Sequence, residues 1–315
     1  MDLGFEPFDP RSFDDPYPAY ARLRAQAPLY RGPRHRFWTL SRFDDIKSAL
    51  ADHESFSSDA RRGGIGITPA EAGETSPPSG SHEFPVGNLI LMDPPRHTAF
   101  RKVVAKRFLQ KSMAPLEILV RQVVDELLDE FCEAGQVDLM ERFTCAVPAR
   151  VFADVLGVPR SQARDLQRWA AVLTTVPTTM EASERHREAV ANVRALFEAL
   201  RLEKQARPAD DLLTDMALET GPGKTYREDE FVGMAVSMMI AGNDTTANAL
   251  ASLIHLLARH PDQRRKLVAD PSRTAAAVEE GLRFEPPVHG LARVLTRDVE
   301  LHGRRLSAGD KVLLL

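Results

Sequence analysis

The sequence predicts a mainly α protein with small β-sheets, and three observations carry that prediction. Apolar residues recur at helical spacing almost without a break from Arg96 to Phe284. Within that span, Phe231 to Arg259 is the longest strongly helical run, about 43 Å as one helix at 1.5 Å per residue. Short alternating or apolar runs stand near the two ends, at Phe37–Leu40 and from Arg293 to Leu315. The chain of 315 residues is 43% hydrophobic and 27% charged, ordinary for a soluble globular protein, and is read as a single domain over 1–315.

The elements follow in order. The proline-rich entry leads to a helix over Asp15–Arg24, then a strand at Phe37–Leu40 and a helix at Phe43–Ala51. From Ser57 to Gly87 the composition turns to Gly, Ser, Pro and Glu, a long irregular loop of the functional kind. Asp93-Pro94-Pro95 is a start signal, a capping Asp followed by proline in the first turn, for a helix over Arg96–Leu109. Further helices are predicted over Met113–Ala134, Phe143–Leu156, Ser161–Leu173, Glu181–Arg207 and Asp210–Glu219. After the long helix come Asp262–Asp270 and Ser272–Phe284, stopped by Pro286-Pro287. The end, with Gly303 and Gly309-Asp310 at turns, predicts β-hairpins.

Composition narrows the function classes. A formal net charge of −4 argues against a general affinity for nucleic acid or anionic membrane. Cys132 and Cys145 have no metal or redox spacing and are assigned to core packing. No signal peptide is visible and no run reaches 18 apolar residues, which points to the cytoplasm. Gly221-Pro222-Gly223-Lys224-Thr225 lacks the first glycine and the preceding strand of a phosphate loop, and the nine histidines show no HExxH.

Three constellations remain. The middle of the long helix, Ala241-Gly242-Asn243-Asp244-Thr245-Thr246, is polar where the flanks predict burial. Met234, Met238, Ala241, Thr245 and Asn248 share one face. That face is either a kinked core helix with a locally satisfied Asp, or a platform beside a flat ligand with an acid and a hydroxyl for proton transfer. His97 and Arg101, four apart near a helix start, suit either a surface salt bridge or a grip on a carboxylate or phosphate. Lys102, Lys106 and Arg107 make that helix basic. Glu280 and Arg283 form a helical pair ahead of an extended segment, Val288–Ala292, that leads to a third candidate anion-binding residue, Arg293.

Taken in order, these stretches resemble the soluble bacterial cytochrome P450 family. Asp93 to Arg101 resembles the start of its C helix, and Asp210-Asp211-Leu212-Leu213 the segment before its long I helix. Ala241 to Thr246 is similar to the oxygen-activating signature, and Glu280-Gly281-Leu282-Arg283 to the Glu-x-x-Arg of the K helix. The resemblance implies a haem-thiolate monooxygenase that inserts one oxygen atom of dioxygen into a small organic substrate. Haem b would have its propionates bound by His97, Arg101 and Arg293 and its face approached through Ala241 and Gly242. Thr245 would hydrogen-bond bound dioxygen and Asp244 would relay protons, while Glu280 and Arg283 would be a structural pair. Substrate would be bounded by the Ser57–Gly87 loop, the Leu173–Glu181 break, Met234, Met238 and Val288–Ala292. Electrons would come from a ferredoxin and its ferredoxin reductase, docking on the basic helix from Arg101 to Arg107.

Two departures stand against this. Gly281 occupies a helical position where the family has a larger residue, at about 1 kcal/mol. The family's haem-ligand loop, Phe-x-x-Gly-x-x-x-Cys-x-Gly, is absent, and neither Cys132 nor Cys145 has that context. The resemblance therefore implies a C-terminally truncated P450, inactive as it stands, or else a haem-free remnant serving as a binding or scaffold protein.

Overall fold

A computed structural model describes residues 3–9, 14–68, 71–73, 86–175 and 179–315. The centre of the Ser57–Gly87 loop and part of the Leu173–Glu181 break lie outside the described residues. The chain groups into two compact units, and each is described by itself.

One unit comprises Met1–Ser81, Leu89–Ala99 and His289–Leu315. It carries α1 (Tyr17–Gln26), β1 (Leu29–Tyr30), β2 (Phe37–Leu40), α2 (Phe43–Ala51) and β3 (Phe56–Ser57). From the far end of the chain it takes β4 (Leu291–Leu295), β5 (Val299–Leu301), β6 (Arg304–Leu306) and β7 (Lys311–Leu314). The terminal runs do not fold back as successive hairpins. Only β5 and β6 do so, around His302 and Gly303, both at positive φ as a tight hairpin turn requires. The other strands make a five-stranded sheet in the order β1-β2-β7-β4-β3. In it β7 lies parallel to β2, Phe37 opposite Lys311, and antiparallel to β4, Arg293 opposite Val312.

This placement explains the apolar character of the last strand. Leu313 packs into a cluster with Phe5, Leu23, Tyr30 and Phe37 on one face, while Val312 and Leu314 pack with Leu40, Phe56 and Leu295 on the other. A strand covered on both faces reads as a continuous apolar run. Lys311 is the exception. Its buried Nζ donates to Gly66 O at 2.9 Å and pairs with Glu71 at 2.8 Å. Together with Ala292 N donating to Ile65 O at 2.7 Å, this ties the start of the long loop to the sheet.

Asp93 departs from its predicted role. Its backbone oxygen accepts from His97 N at 3.0 Å and opens α3 (Arg96–Ala105), but its carboxylate does not cap the helix. The two carboxylate oxygens are taken by the Ser57 hydroxyl and by Ser58 N, the latter at 2.8 Å. Held there, they are drawn away from the first-turn N–H groups.

The second unit comprises His82–Asn88 and Phe100–Val288. Its helices are α4 (Gln110–Asp129), α5 (Ala146–Leu156), α6 (Ala163–Thr174), α7 (Met180–Ala206), α8 (Leu212–Leu218), α9 (Glu228–Arg259), α10 (Pro261–Ala269) and α11 (Thr274–Phe284). The predicted helices are all present with shifted ends, except that a π-turn over Met140–Thr144 replaces the start of the Phe143–Leu156 helix. Helix α9 is the axis of the unit, packed by α5, α6, α7 and α11. It begins three residues before the predicted start, where Glu230 accepts from Arg227 N at 2.8 Å and pairs with the Arg227 guanidinium at 2.9 Å. In front of it, buried Tyr226 donates its hydroxyl to Phe100 O at 3.0 Å and meets the Phe100 ring edge-on at 4.5 Å between centroids.

Basic residues at the end of α3 are consumed internally. Lys106 pairs with Asp215 at 2.9 Å, and Arg107 pairs with both Asp215 and Asp210 and donates to Asp211 O at 3.2 Å. The predicted basic docking face thus loses Lys106 and Arg107 to α8 and its approach. Cys132 also departs from expectation. It is exposed just after α4 rather than packed in a core, whereas Cys145 is half-buried beside the π-turn.

Candidate functional site

Burial along α9 changes in mid-helix. Every residue from Glu230 to Ser237 is buried, so this end is enclosed on all sides. Ala241 and Asp244 are exposed and Thr245 is half-buried, while Asn243 and Ala247 on the other side remain buried. The helix is continuous through this point. The Thr245 hydroxyl donates to Ala241 O at 2.8 Å, the back-bonding expected of a helical threonine. Its hydrogen is thereby committed, and the oxygen lone pairs point outward as an acceptor. Asp244 has no hydrogen-bond partner among the described residues, and its charge reaches the Cys145 thiol.

Gly242 has a packing role inside the unit. A Cβ there would stand 2.6 Å from the ring of Phe152 on α5, so the glycine admits that ring against the back of α9. Only Ala241 supplies the flat spot on the open face. Asn243, between them, donates from Nδ2 to Met239 O at 2.8 Å, and its buried Oδ1 has no partner among the described residues. Of the two methionines assigned to a substrate wall, Met234 is fully buried in protein and Met238 is half-buried.

The anion-binding candidates are placed as follows. Arg101 is exposed on α3, with no ion pair among the described residues, and His97 is half-buried one turn earlier. Arg293 on β4 is half-buried, its Nη1 donating to Ala292 O at 2.8 Å. Among the described residues no carboxylate forms an ion pair with it; burial pulls its pKa down, with the charge of the Asp93 carboxylate acting in the opposite direction. A half-buried guanidinium with no direct ion pair carries a desolvation cost that an anionic ligand would offset. Glu280 and Arg283 form the predicted pair with two parallel bonds of 2.7 and 2.8 Å, both side chains exposed on α11. Gly281 between them has a packing reason. A Cβ would come within 2.8 Å of Leu253 Cδ1, so the glycine lets α11 sit close against α9.

Sequence reasoning missed several positioning residues. Ser237 donates to Asn88 Oδ1 at 2.6 Å inside the second unit and holds the end of the long loop against α9. Gly87 beside it has φ +102°, and a Cβ there would lie 2.5 Å from Glu230 O. Phe152 and Lys311 were also missed, although a lone lysine in an apolar run such as Lys311–Leu315 is a readable signal for a buried ion pair.

The comparisons with known proteins bear on these residues. A family model described as Cytochrome P450 matches residues 152–315. The chain is 33% identical over 306 residues to the vitamin D(3) 25-hydroxylase of Pseudonocardia autotrophica, covering 96% of this chain and 72% of that protein. It is 33% identical over 308 residues to the cytochrome P450 monooxygenase PikC of Streptomyces venezuelae, covering 96% and 70%. The crystal structure of CalO2 matches with a TM-score of 0.87 at 28% identity, over 99% of this chain and 77% of that one.

Proposed function

Because this chain belongs to the cytochrome P450 family, whose members are haem b monooxygenases, we propose that Ala241, Asp244 and Thr245 serve the oxygen side of a haem and that His97, Arg101 and Arg293 take its carboxylates. The carrying observation is the open middle of α9, where burial on all sides gives way to an exposed alanine, an acceptor hydroxyl and an unpartnered carboxylate. The residues present fit haem b in two respects. Ala241 offers a flat contact, and Arg293 is a half-buried cation with no direct ion pair among the described residues. Bound haem supplies an iron centre at which dioxygen is activated. Thr245 Oγ1 then accepts a hydrogen bond from a proton-bearing group on the open face, and Asp244 exchanges that proton with solvent. Glu280 and Arg283 hold the end of α11.

Neither cysteine fits the axial thiolate. Cys132 is exposed in a turn, and the Cys145 thiol is pushed up by burial and by the Asp244 carboxylate, so it stays protonated. The 315 residues by themselves are therefore proposed to hold haem without thiolate ligation and without turnover. The substrate is a small organic molecule. A ferredoxin with its reductase is the proposed electron donor in the cytoplasm, and with Arg101 assigned to the haem, Lys102 is the cation of the Arg101–Arg107 stretch left exposed and outside an ion pair among the described residues. Among the described residues no helix is long and apolar enough to cross a membrane.

Haem titration tests the reading. The chain is expected to bind one haem b per molecule, and Arg293→Ala to weaken binding about tenfold or more, as for loss of a charge-assisted hydrogen bond. Failure to bind haem would leave the reading of a haem-free binding or scaffold protein. A thiolate-type absorption band after reduction under carbon monoxide would overturn the assignment of the cysteines.

A further inference from the structure

One corner of the first unit gathers cations that the fold does not use. Trp38 on β2 is half-buried, its Nε1 donating to the Asp310 carboxylate at 3.1 Å. Two guanidiniums lie against its ring, Arg31 at 5.4 Å and Arg304 at 5.6 Å from the centroid. Arg31 Nε donates to His35 O at 3.2 Å, which leaves its terminal nitrogens for another partner. Stacking on an indole holds a guanidinium in place with its N–H edge open to a carboxylate. The β5–β6 hairpin that carries Arg304 is set against α2, where His302 Nε2 and the Asp45 carboxylate meet at 2.9 Å. Along α2, Phe43, Lys47 and Leu50 fall on one stripe. Phe43 is 75% and Leu50 51% exposed, and Lys47 Nζ lies 5.8 Å from the Phe43 ring. Arg42, just ahead, is also exposed and donates from Nε to Arg24 O at 3.1 Å. Arg31, Arg42, Lys47 and Arg304 form no ion pair among the described residues, against two exposed carboxylates beside them, Asp44 and Glu300. The corner is therefore a pair of apolar side chains ringed by surplus positive charge, in a chain whose net charge is −4.

We infer that this corner docks an acidic protein segment, which sets carboxylates on the Arg31 and Arg304 forks and an apolar side chain on Phe43 and Leu50. Exposed apolar anchors supply the affinity of such a contact, and the charged rim selects the partner and its orientation. A protein suits the corner better than an anionic lipid surface. Asp44, next to Phe43 in the first turn of α2, repels a uniform sheet of negative charge, whereas a folded partner can keep its own carboxylates clear of it. Docking here requires no haem.

The experiment titrates the full chain, without added haem, into a fluorescein-labelled peptide of Glu-Glu-Leu repeats and reads anisotropy. The probe is expected to bind about tenfold more tightly than the same peptide with glutamine for glutamate. Arg304→Ala should weaken the glutamate peptide about tenfold, and Arg304→Lys severalfold, because lysine keeps the charge but not the fork. Phe43→Ala should weaken both peptides. Lys266→Ala removes one exposed charge from α10, outside this corner, and should leave binding unchanged. All four substitutions are at exposed side chains, and circular dichroism confirms the fold of each variant. Absence of binding to wild type overturns the site. Equal loss in Lys266→Ala and Arg304→Ala overturns it in favour of general charge attraction. Sedimentation with phosphatidylserine vesicles in the absence of peptide binding overturns it in favour of a membrane surface.

Discussion

Gly157→Ala is expected to destabilise the chain by about 3 kcal/mol or more, the strain of a left-handed residue added to an overpacked contact. Gly157 ends α5 at φ +84°, its N–H donating to Ala153 O at 3.0 Å while Val158 N returns to the same oxygen at 2.9 Å. Space is the larger difficulty. A Cβ would lie 2.2 Å from Cγ and Oδ2 of Asp211, a buried residue that cannot retreat freely. Its carboxylate caps α8 by accepting from Thr214 N at 2.8 Å and binds the Lys204 ammonium. Accommodating one methyl therefore breaks a helix cap and a buried ion pair together. Urea unfolding followed by far-ultraviolet dichroism measures the effect. A loss below about 1 kcal/mol would show that α5 and α8 can separate at this point without cost.

Arg107→Ala is expected to cost about 2 to 3 kcal/mol at neutral pH, because removing one partner of a largely buried pair strands the other. Asp215 has only 10% of its side chain exposed and would keep Lys106 alone. The sign of the pH dependence follows. Burial raises the Asp215 pKa, but hydrogen bonds from Arg107 and Lys106 outweigh it and hold the carboxyl below its usual range. The pair's contribution is thus complete above the ordinary carboxylate pKa, about 4, and is lost as the pH falls through the depressed value. Stability measured from pH 6 down to pH 3 should fall more steeply in wild type than in the variant. Parallel curves would remove Asp215 from the account.

What was legible in the sequence was mostly local. Phe37–Leu40 and Phe43–Ala51 form at the residues predicted, since alternation and helical period are properties of neighbouring residues. The pairing of β7 with β2 was not legible. The two strands are separated by most of the chain, and an apolar run carries no mark of its partner. Asp93 shows a different limit. Asp-Pro-Pro ahead of a helix is a sound capping signal, but Ser57 and Ser58 compete for the same oxygens from a loop 35 residues away. Gly157 could have been read, as a glycine after the last periodic residue of a helix and two before a proline. At the candidate site, Thr245 and its return bond to Ala241 followed from the sequence. The side of the helix to which Gly242 belongs did not, because small residues are equally suited to a flat ligand and to the Phe152 ring.

The neutralised end of α3 has a kinetic consequence. With Lys106 and Arg107 locked against Asp210 and Asp215 and Arg101 assigned to the haem, an acidic protein approaching the Arg101–Arg107 stretch is steered chiefly by Lys102. Long-range attraction scales with the uncompensated charge and is screened within about 8 Å at physiological ionic strength. The association rate with an acidic electron carrier should therefore decline only gently as salt is added, and Asp210→Asn, which leaves Asp215 in place, should steepen that decline by unmasking part of the Arg107 charge.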